Sequence, residues 1–405
     1  MEATFAGTPE LERGYAVVSG HAFKKDTEFR NRKLQWMKRP GYRPEHTRII
    51  IDNGEVVAGV AIVEMHVRYG DATLKMGGIS TVATDPDKQG RGYGRANMED
   101  TVRYMAEDGY DISFLLGIHD YYPKYGYRTA LVWAPVVLNV AEAPSQMPEG
   151  WTARKIEESD IPALDEVYRK TIGNCDLAVQ RTEADWKWYF TFGRFGRAND
   201  RVIVNADNKV VGYFTLQGRG DRMRVDELGV LDDVDAYAAV IAAMRDRGKD
   251  LFAREVEIYT VPDGGFARWA LYRARGKWSR SSDYAGGPMF RLFNAEQLFG
   301  KIGRTLAKRW EQAPRNTPED AVTIRCPLGQ VALIPTGEGL RVRSGEESGT
   351  VVEMPHEALT ELVLGFRPVV DILNDAGVTA SESATRVLAS VFPVQIPFIP
   401  PTDHI

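Results

Sequence analysis

Two short stretches carry residue types and spacings suited to chemistry. The first is Gln89-Gly90-Arg91-Gly92-Tyr93-Gly94, which follows an apolar Thr/Val run and a proline turn and leads into a helical pattern. Backbone N–H groups exposed by glycines form a cradle for phosphate oxygens, and the N-terminus of a following helix adds partial positive charge. Three ligand classes are open to such a loop, beside a ligand-free strand–helix turn. A mononucleotide loop needs G-x-x-x-x-G-K-[ST], which the chain lacks. A dinucleotide loop needs G-x-G-x-x-G early in a βαβ unit, whereas these glycines fall as G-x-G-x-G after three antiparallel-looking strands. The third class, the [QR]-x-x-G-x-[GA] loop that holds the pyrophosphate of coenzyme A, is matched position by position. The second stretch is the cluster Tyr121, Tyr122, Tyr125 and Tyr127 in "DYYPKYGY". A phenol, with a pKa of about 10, matches a thiolate, of about 8.5, well enough to deliver a proton to it; packing is its other use.

The bulk composition bounds what surrounds these groups. At 405 residues the chain predicts two or three domains. With 43% hydrophobic and 26% charged residues, it belongs with folded, water-facing proteins. A formal charge of −5 argues against a nucleic-acid binder and permits a locally acidic pocket for a cation. Cys175 and Cys326 are the two cysteines, far apart and without metal-ligand spacing, so neither a metal nor a disulfide framework is expected. "MEATFAGTPELERGY" lacks the succession of a signal peptide, and no apolar run approaches the roughly 20 residues of a membrane helix. A cytoplasmic protein without nucleic-acid or membrane partners is the expectation.

The elements that must position the loop read as follows. Residues from Glu10 to Met37 are helical and charged. "TRIIIDNGEVVAGVAIVEMHVRY" gives two strands around Asp52-Asn53-Gly54, a strong hairpin signal. "TLKMGGISTVAT" is the strand that enters the loop. After Gly94, Met98, Val102, Met105 and Ala106 recur at helical spacing, with Gly109 as a stop. "DISFLLGI" is a buried strand. The scheme then repeats: "EESDIPALDEVYRKTI" is an amphipathic helix beginning at a cap, Ser159, and "RVIVNADNKVVGYFTL" parallels "RIIIDNGEVVAGVAIV". In this second copy "ELGVL" is followed by "DDVDAY", with no glycine loop. From about Gly286 a smaller α+β segment follows, ending in "FPVQIPFIPPTDHI", which is too rich in Phe and Ile for a disordered tail and is expected to be extended but packed.

Loop, strand order and duplication together resemble the GNAT acyltransferases, and more specifically the Eis (enhanced intracellular survival) family of N-acetyltransferases, whose core motif "GGISTVATDPDKQGRGYG" matches closely. The resemblance covers the whole chain. It implies an α/β (α+β) fold: a catalytic GNAT domain at 1–145, a degenerate GNAT-like domain at 146–290, and a sterol-carrier-like domain at 291–405. It also implies acetyl-CoA as co-substrate. The backbone of Val82, Ala83 and Thr84 would pair with the pantetheine arm, Gln89, Gly90, Arg91, Gly92, Tyr93, Gly94 and Arg95 would hold the pyrophosphate, and Gly117 and Ile118 would lie near the thioester. Homo-oligomers, hexamers by family analogy, are implied as well.

Acetyl transfer from a thioester to an amine requires an uncharged amine, a polarised carbonyl and a proton for the leaving thiolate. No G-x-S-x-G elbow is present, and Cys175 lies in the copy without the loop, so direct transfer is expected rather than a covalent intermediate. In the family the first Tyr of a Tyr-x-x-aromatic-Gly-Tyr/Phe motif protonates the sulfur; here that is Tyr122, with Tyr121 as its nearest rival. The family's base is the main-chain carboxylate of the last residue, here Ile405. At a pKa of about 3.5 such a carboxylate acts through burial, a water relay or cation binding rather than by direct deprotonation in water. His404 and His119 are rival bases. Asp26, Glu28, Glu64 and Asp120 are acidic candidates for attracting a polyamine, and Trp36 and Phe29 are candidate pocket walls. The expected function is acetyl-CoA-dependent N-acetylation of a small cationic amine, aminoglycoside-like, polyamine or lysine. The alternative is a non-catalytic carrier or sensor for CoA and an apolar ligand.

Overall fold

The computed structural model describes all residues except Asp26, Ser145, Asp283–Ala285 and Ile405, and the side chain of Lys33. These residues divide into two compact units, Met1–Leu131 with Asp283–Gln395, and Val132–Ser282 with Ile396–His404. No helix among the described residues is long and apolar enough to cross a membrane.

The first unit starts with strand β1 (Glu2–Phe5), helices α1 (Pro9–Ala22) and α2 (Thr27–Trp36), and strands β2 (Thr47–Asp52), β3 (Glu55–Tyr69) and β4 (Ala72–Thr84). Helix α3 (Tyr93–Glu107) and strands β5 (Ile112–Gly117) and β6 (Arg128–Thr129) follow. The β2–β3 hairpin closes through Asn53 and Gly54, both at positive φ (51° and 80°), as the turn that matches strand twist requires. The sheet separates two apolar layers. Met98 and Met105 of α3 pack on one side with the tyrosine cluster. Tyr15 of α1 packs on the other with Ile49 and Ala61.

The second unit repeats the plan with β7 (Val136–Asn139), β8 (Thr152–Lys155), α4 (Ile161–Lys170), α5 (Glu183–Thr191), β9 (Arg201–Val204), β10 (Val210–Arg219) and β11 (Arg222–Val230). Helix α6 (Val234–Asp250), β12 (Glu255–Ile258), α7 (Gly265–Arg273) and β13 (Lys277–Trp278) complete it. Helices α6 and α7 cover one face of this sheet, and α4 and α5 cover the other. Helix α4 does not begin at Ser159. A short 3-10 turn over Glu158–Asp160 precedes it, and Asp160 accepts from the Glu157 amide and from Arg154, an ion pair that a local cap reading overlooks.

The chain then returns to the first unit. Strand β14 (Gly287–Leu292) joins the first sheet, whose order is β1-β2-β3-β4-β5-β14-β6, while β7 lies in the second sheet, β13-β7-β12-β11-β10-β9-β8. Strands thus cross the boundaries expected at 145 and 290. Their patterns are ordinary apolar runs, and pairing partners more than 100 residues away leave no local mark. Helix α8 (Ala295–Glu311), strands β15 (Val322–Cys326), β16 (Gly329–Thr336), β17 (Gly339–Ser344) and β18 (Thr350–Glu353), and helices α9 (His356–Val363), α10 (Val369–Asp375) and α11 (Glu382–Val391) complete the first unit, the four strands forming their own sheet. Lys301 of α8 meets the fully buried Asp111 at 2.6 Å, which ties this last part to the first sheet.

The tail is extended and packed, as its composition predicts: Phe398 and Ile399 are buried in the second unit. His404 is half-buried there, its Nε2 3.2 Å from the Ile399 carbonyl and its ring against Trp133.

Two measurements check this packing. A Cβ at Gly59 would lie 2.2 Å from the Tyr15 ring. Gly59→Ala is therefore expected to destabilise the first unit by about 1–3 kcal/mol in chemical denaturation. Burial lowers the His404 pKa to about 3, so the stability it contributes is full above the unfolded value of 6.5 and is lost as pH falls towards 3. His404→Gln is expected to flatten that acid slope by up to about 1.4 kcal/mol per pH unit.

Candidate functional site

The glycine loop is set by one helix end. Gly90 and Gly92 adopt φ of 77° and 84°, and a Cβ at either would meet no protein atom within 4 Å, so the space beside them is open. Gly92 is the N-cap of α3; it offers no side chain, and no acidic residue stands in the first turn. The first-turn amides of α3 therefore point outward without a protein cap, with Arg91 and Arg95 exposed beside them. Five other helices are finished differently, while α7, like α3, starts at a glycine without a side-chain cap. Thr8, Thr182, Asp233, Asn294 and Ser381 each cap their helix through a side-chain oxygen. The pair α3 and α6 is the informative one, since they are the same helix in the two copies. At α6 the Asp233 carboxylate accepts the Ala236 amide at 2.9 Å, and Asp235 adds a second negative charge. In the second copy this helix end is filled by the protein's own carboxylates.

Beside the loop the sheet opens. Strands β4 and β5 run parallel and pair only at Met76–Gly78 with Ile112–Phe114. Beyond Gly78, β4 has no ladder partner on the β5 side, which leaves an edge through Val82, Ala83 and Thr84. On its other side β4 bulges against β3: Gly59 pairs with Ala83 but Ala61 with Ser80. The bulge holds Thr81 at φ 51°, a strained conformation for a β-branched residue, and the Tyr15 hydroxyl donates to the Thr81 carbonyl at 3.0 Å. Sequence reasoning missed this residue, because a Thr within a Thr/Val run signals only strand. Gly117 ends β5 opposite Gly287 of β14, where a Cβ would lie 2.4 Å from Met289 Sδ; Ile118 beyond it is exposed.

The tyrosine cluster closes the same face. Tyr122 is 8% exposed and packs with Ile79, Met98 and, at the margin, Val82 of β4. Its ring meets Tyr121 edge-on at 4.9 Å and Tyr127 at 6.2 Å. Burial, then the neighbouring Tyr121, raises its pKa to about 12, so it is protonated at neutral pH. Tyr127 is spent within the fold, its hydroxyl 2.7 Å from that of Ser113. Tyr121 sits nearer the loop, its hydroxyl 3.3 Å from where a Gly94 Cβ would be.

The remaining candidates separate. Ile405 and Asp26 lie outside the described residues. His404, half-buried and with its pKa depressed by desolvation, is a poor base; His119 is exposed and 3.0 Å from Asp120. Glu28 is exposed and Trp36 is buried beside Arg39. Glu64 belongs to an ion-pair network: with His46 and Asp108 it forms a group whose ligand atoms lie within 4.8 Å of one another. Lys75 lies 2.7 Å from Asp108 and 3.4 Å from Glu64, and Arg43 pairs with both, so cations of the protein already fill the group. The hydrogen bond from His46, assisted by Lys75 and Tyr110, lowers the Glu64 pKa to about 2.

Comparison with known proteins agrees with this geometry. Residues 8–130 match the acetyltransferase (GNAT) domain family. No curated protein is similar enough in sequence to count as a relative. Among solved structures, a conserved protein of unknown function from Enterococcus faecalis V583 superposes with a TM-score of 0.76 at 14% identity, over 98% of this chain and 97% of that one. A GCN5-related N-acetyltransferase from Kribbella flavida gives 0.73 at 18% identity, over 100% and 98%. Eis1 from Mycobacterium abscessus gives 0.67 at 15%, over 99% of each chain. An uncapped helix behind a glycine loop and a splayed parallel pair agree with the matched family: residues 8–130 match a GNAT acetyltransferase domain, within a chain whose fold is similar over its full length to that of Eis1.

Proposed function

We propose that the protein is an acetyl-CoA-dependent N-acetyltransferase of the Eis type, acting on amines of a small cationic substrate, aminoglycoside-like, polyamine or lysine. The observation that carries the reading is the contrast between α3, whose first-turn amides face open space, and α6, whose equivalent end is filled by Asp233. Gln89 to Arg95 would hold the pyrophosphate of acetyl-CoA. The unpaired β4 edge at Val82, Ala83 and Thr84 would receive the pantetheine amides, with the thioester near Gly117 and Ile118.

Transfer is direct in this proposal. The amine attacks the thioester carbonyl, the tetrahedral intermediate collapses, and Tyr122 gives its proton to the departing sulfur. A phenol of pKa about 12 is a weak donor in water, but the burial that raises it raises the proton affinity of a thiolate in the same place. The carboxylate of Ile405 is proposed to hold the substrate cation and take its proton through water. We further propose that β15–β18 with α8–α11 form the sterol-carrier-like part, and that the protein is cytoplasmic and assembles as a homo-hexamer.

Thiol release from acetyl-CoA in the presence of polyamines and aminoglycosides tests the enzyme reading. Tyr122→Phe is expected to lower turnover at least tenfold while leaving CoA affinity nearly unchanged; activity within twofold of the parent would refute the assignment. Gly92→Val forces a β-branched residue into left-handed backbone and fills the space beside the amides. Calorimetry is expected to show loss of CoA binding with an unchanged far-UV spectrum. Tight CoA binding by the parent without thiol release for any amine would favour the carrier alternative.

A further inference from the structure

The turn that carries Tyr122 is gripped by two side chains from a distant part of the same compact unit. The turn is a short 3-10 element over Pro123–Tyr125, with Tyr122 at its start and Gly126 at its end. The Tyr122 carbonyl accepts the Tyr125 amide at 2.9 Å, and the Pro123 carbonyl accepts the Gly126 amide at 2.8 Å. Gly126 closes it in left-handed backbone, at φ 78°. Arg291 of β14 donates from Nη1 to the Tyr125 carbonyl. His356, the first residue of α9, places Nε2 3.2 Å from the Gly126 carbonyl; a carbonyl accepts, so that nitrogen is the donor. A Cβ at Gly126 would fall on both Arg291 Nη1 and His356 Nε2, so only glycine lets the two close on the backbone.

Charge balance does not explain Arg291. Its neighbours are the Tyr125 carbonyl, His356 Nε2 at 3.4 Å and the Phe293 ring at 5.6 Å, and its Nε is buried without a hydrogen-bond partner. Burial lowers its pKa, which Tyr127 and Glu357 only partly offset. A half-buried guanidinium without a carboxylate beside it costs free energy; here it fixes a carbonyl of the tyrosine turn. Helix α9, which brings His356, is locked to the strand that follows the turn. Its buried Glu361 accepts from Arg128 of β6, and from Arg367 at 2.6 Å. Tyr127 is pinned in turn to Ser113 of β5, whose hydroxyl donates to the Gly77 carbonyl of β4 at 2.7 Å. Arg291 and His356 lie outside residues 8–130, the span that matches the acetyltransferase domain, yet belong to the same compact unit as Tyr122.

We propose that Arg291 and His356 are positioning residues for Tyr122: they clamp its turn so that the phenol meets the departing sulfur, which makes the segment after residue 286 a working part of the acetyl-transfer site. The positioning role rests on the acyltransferase reading above, in which Tyr122 is the proton donor; the clamp on the turn does not. Loss of Arg291 strands no carboxylate. Loss of His356 leaves Glu357, 3.5 Å from its Nδ1, within reach of water. Arg291→Met and His356→Ala therefore release the turn without leaving a buried charge unpaired, whereas Arg291→Lys and His356→Gln each keep a donor.

The test measures thiol release from acetyl-CoA on the full chain, with spermidine and an aminoglycoside as acceptors. The four variants are made singly and in combination with Tyr122→Phe, and far-UV circular dichroism confirms that each is folded. Arg291→Met and His356→Ala are each expected to lower kcat at least fivefold, with KM for acetyl-CoA within twofold of the parent. Arg291→Lys and His356→Gln are expected to recover part of the loss. On the Tyr122→Phe background the same substitutions should change kcat less than twofold, because no proton donor is left to place. An unchanged kcat, or an equal loss with and without Tyr122, would overturn the positioning role. Hydrogen exchange at the amides of residues 125–127 is read on the same proteins and should be at least tenfold faster in Arg291→Met and His356→Ala. Unchanged exchange would overturn the clamp. Faster exchange in a protein whose parent releases no thiol with either acceptor would leave the clamp standing and remove the acyltransferase reading, and the positioning role with it.

Discussion

The structure turns on the unsatisfied amides at the start of α3. A helix leaves its first N–H groups without internal partners, and a protein must cap them, hydrate them or give them to a ligand. Here Gly92 removes the cap side chain and its left-handed backbone turns the amides outward. Strand β4 delivers the chain to this point and, having parted from β5 after Gly78, leaves its own edge open beside it. Two sets of free backbone donors and acceptors are thereby set along one face, a polar track for an extended ligand with an anionic end.

The second copy shows what the same architecture becomes when that requirement is dropped. Asp233 satisfies the amides internally, and the parallel pair opens again after Val225. The chain's own tail packs on this copy, with Asp403 held by Arg181, which also pairs with Glu227. A fold that holds an extended ligand across a parted sheet is suited to holding a peptide.

Strain collects at the same place in the first copy. Thr81, at φ 51°, interrupts the β3–β4 register and is supported by Tyr15, which itself demands a glycine at position 59. Conformations of this kind cost on the order of 1–3 kcal/mol and persist when their surroundings fix them. The Tyr15 ring, the Gly59 gap and the bulge act as one unit that aims the β4 edge into the opening.

The glycine loop, the Asn53-Gly54 hairpin, the duplication and the packed tail were all legible in the sequence, because each depends on local backbone preference or on apolar periodicity. The absence of a loop in the second copy was legible too, and Asp233 in "DDVDAY" gives its physical meaning. Other features depended on contacts between distant residues. The exchange of β7 and β14 rests on pairings more than 100 residues apart, and the Thr81 bulge on a register shift inside an ordinary strand pattern. The burial of Asp403 against Arg181, 222 residues away, was invisible in a polar-looking "TDHI". The sequence by itself determined which helix end would lie open to an anion, since glycine conformation and capping are local. Only the tertiary structure decided which carboxylates are exposed and which are bound, since that depends on which chain segments fold against them.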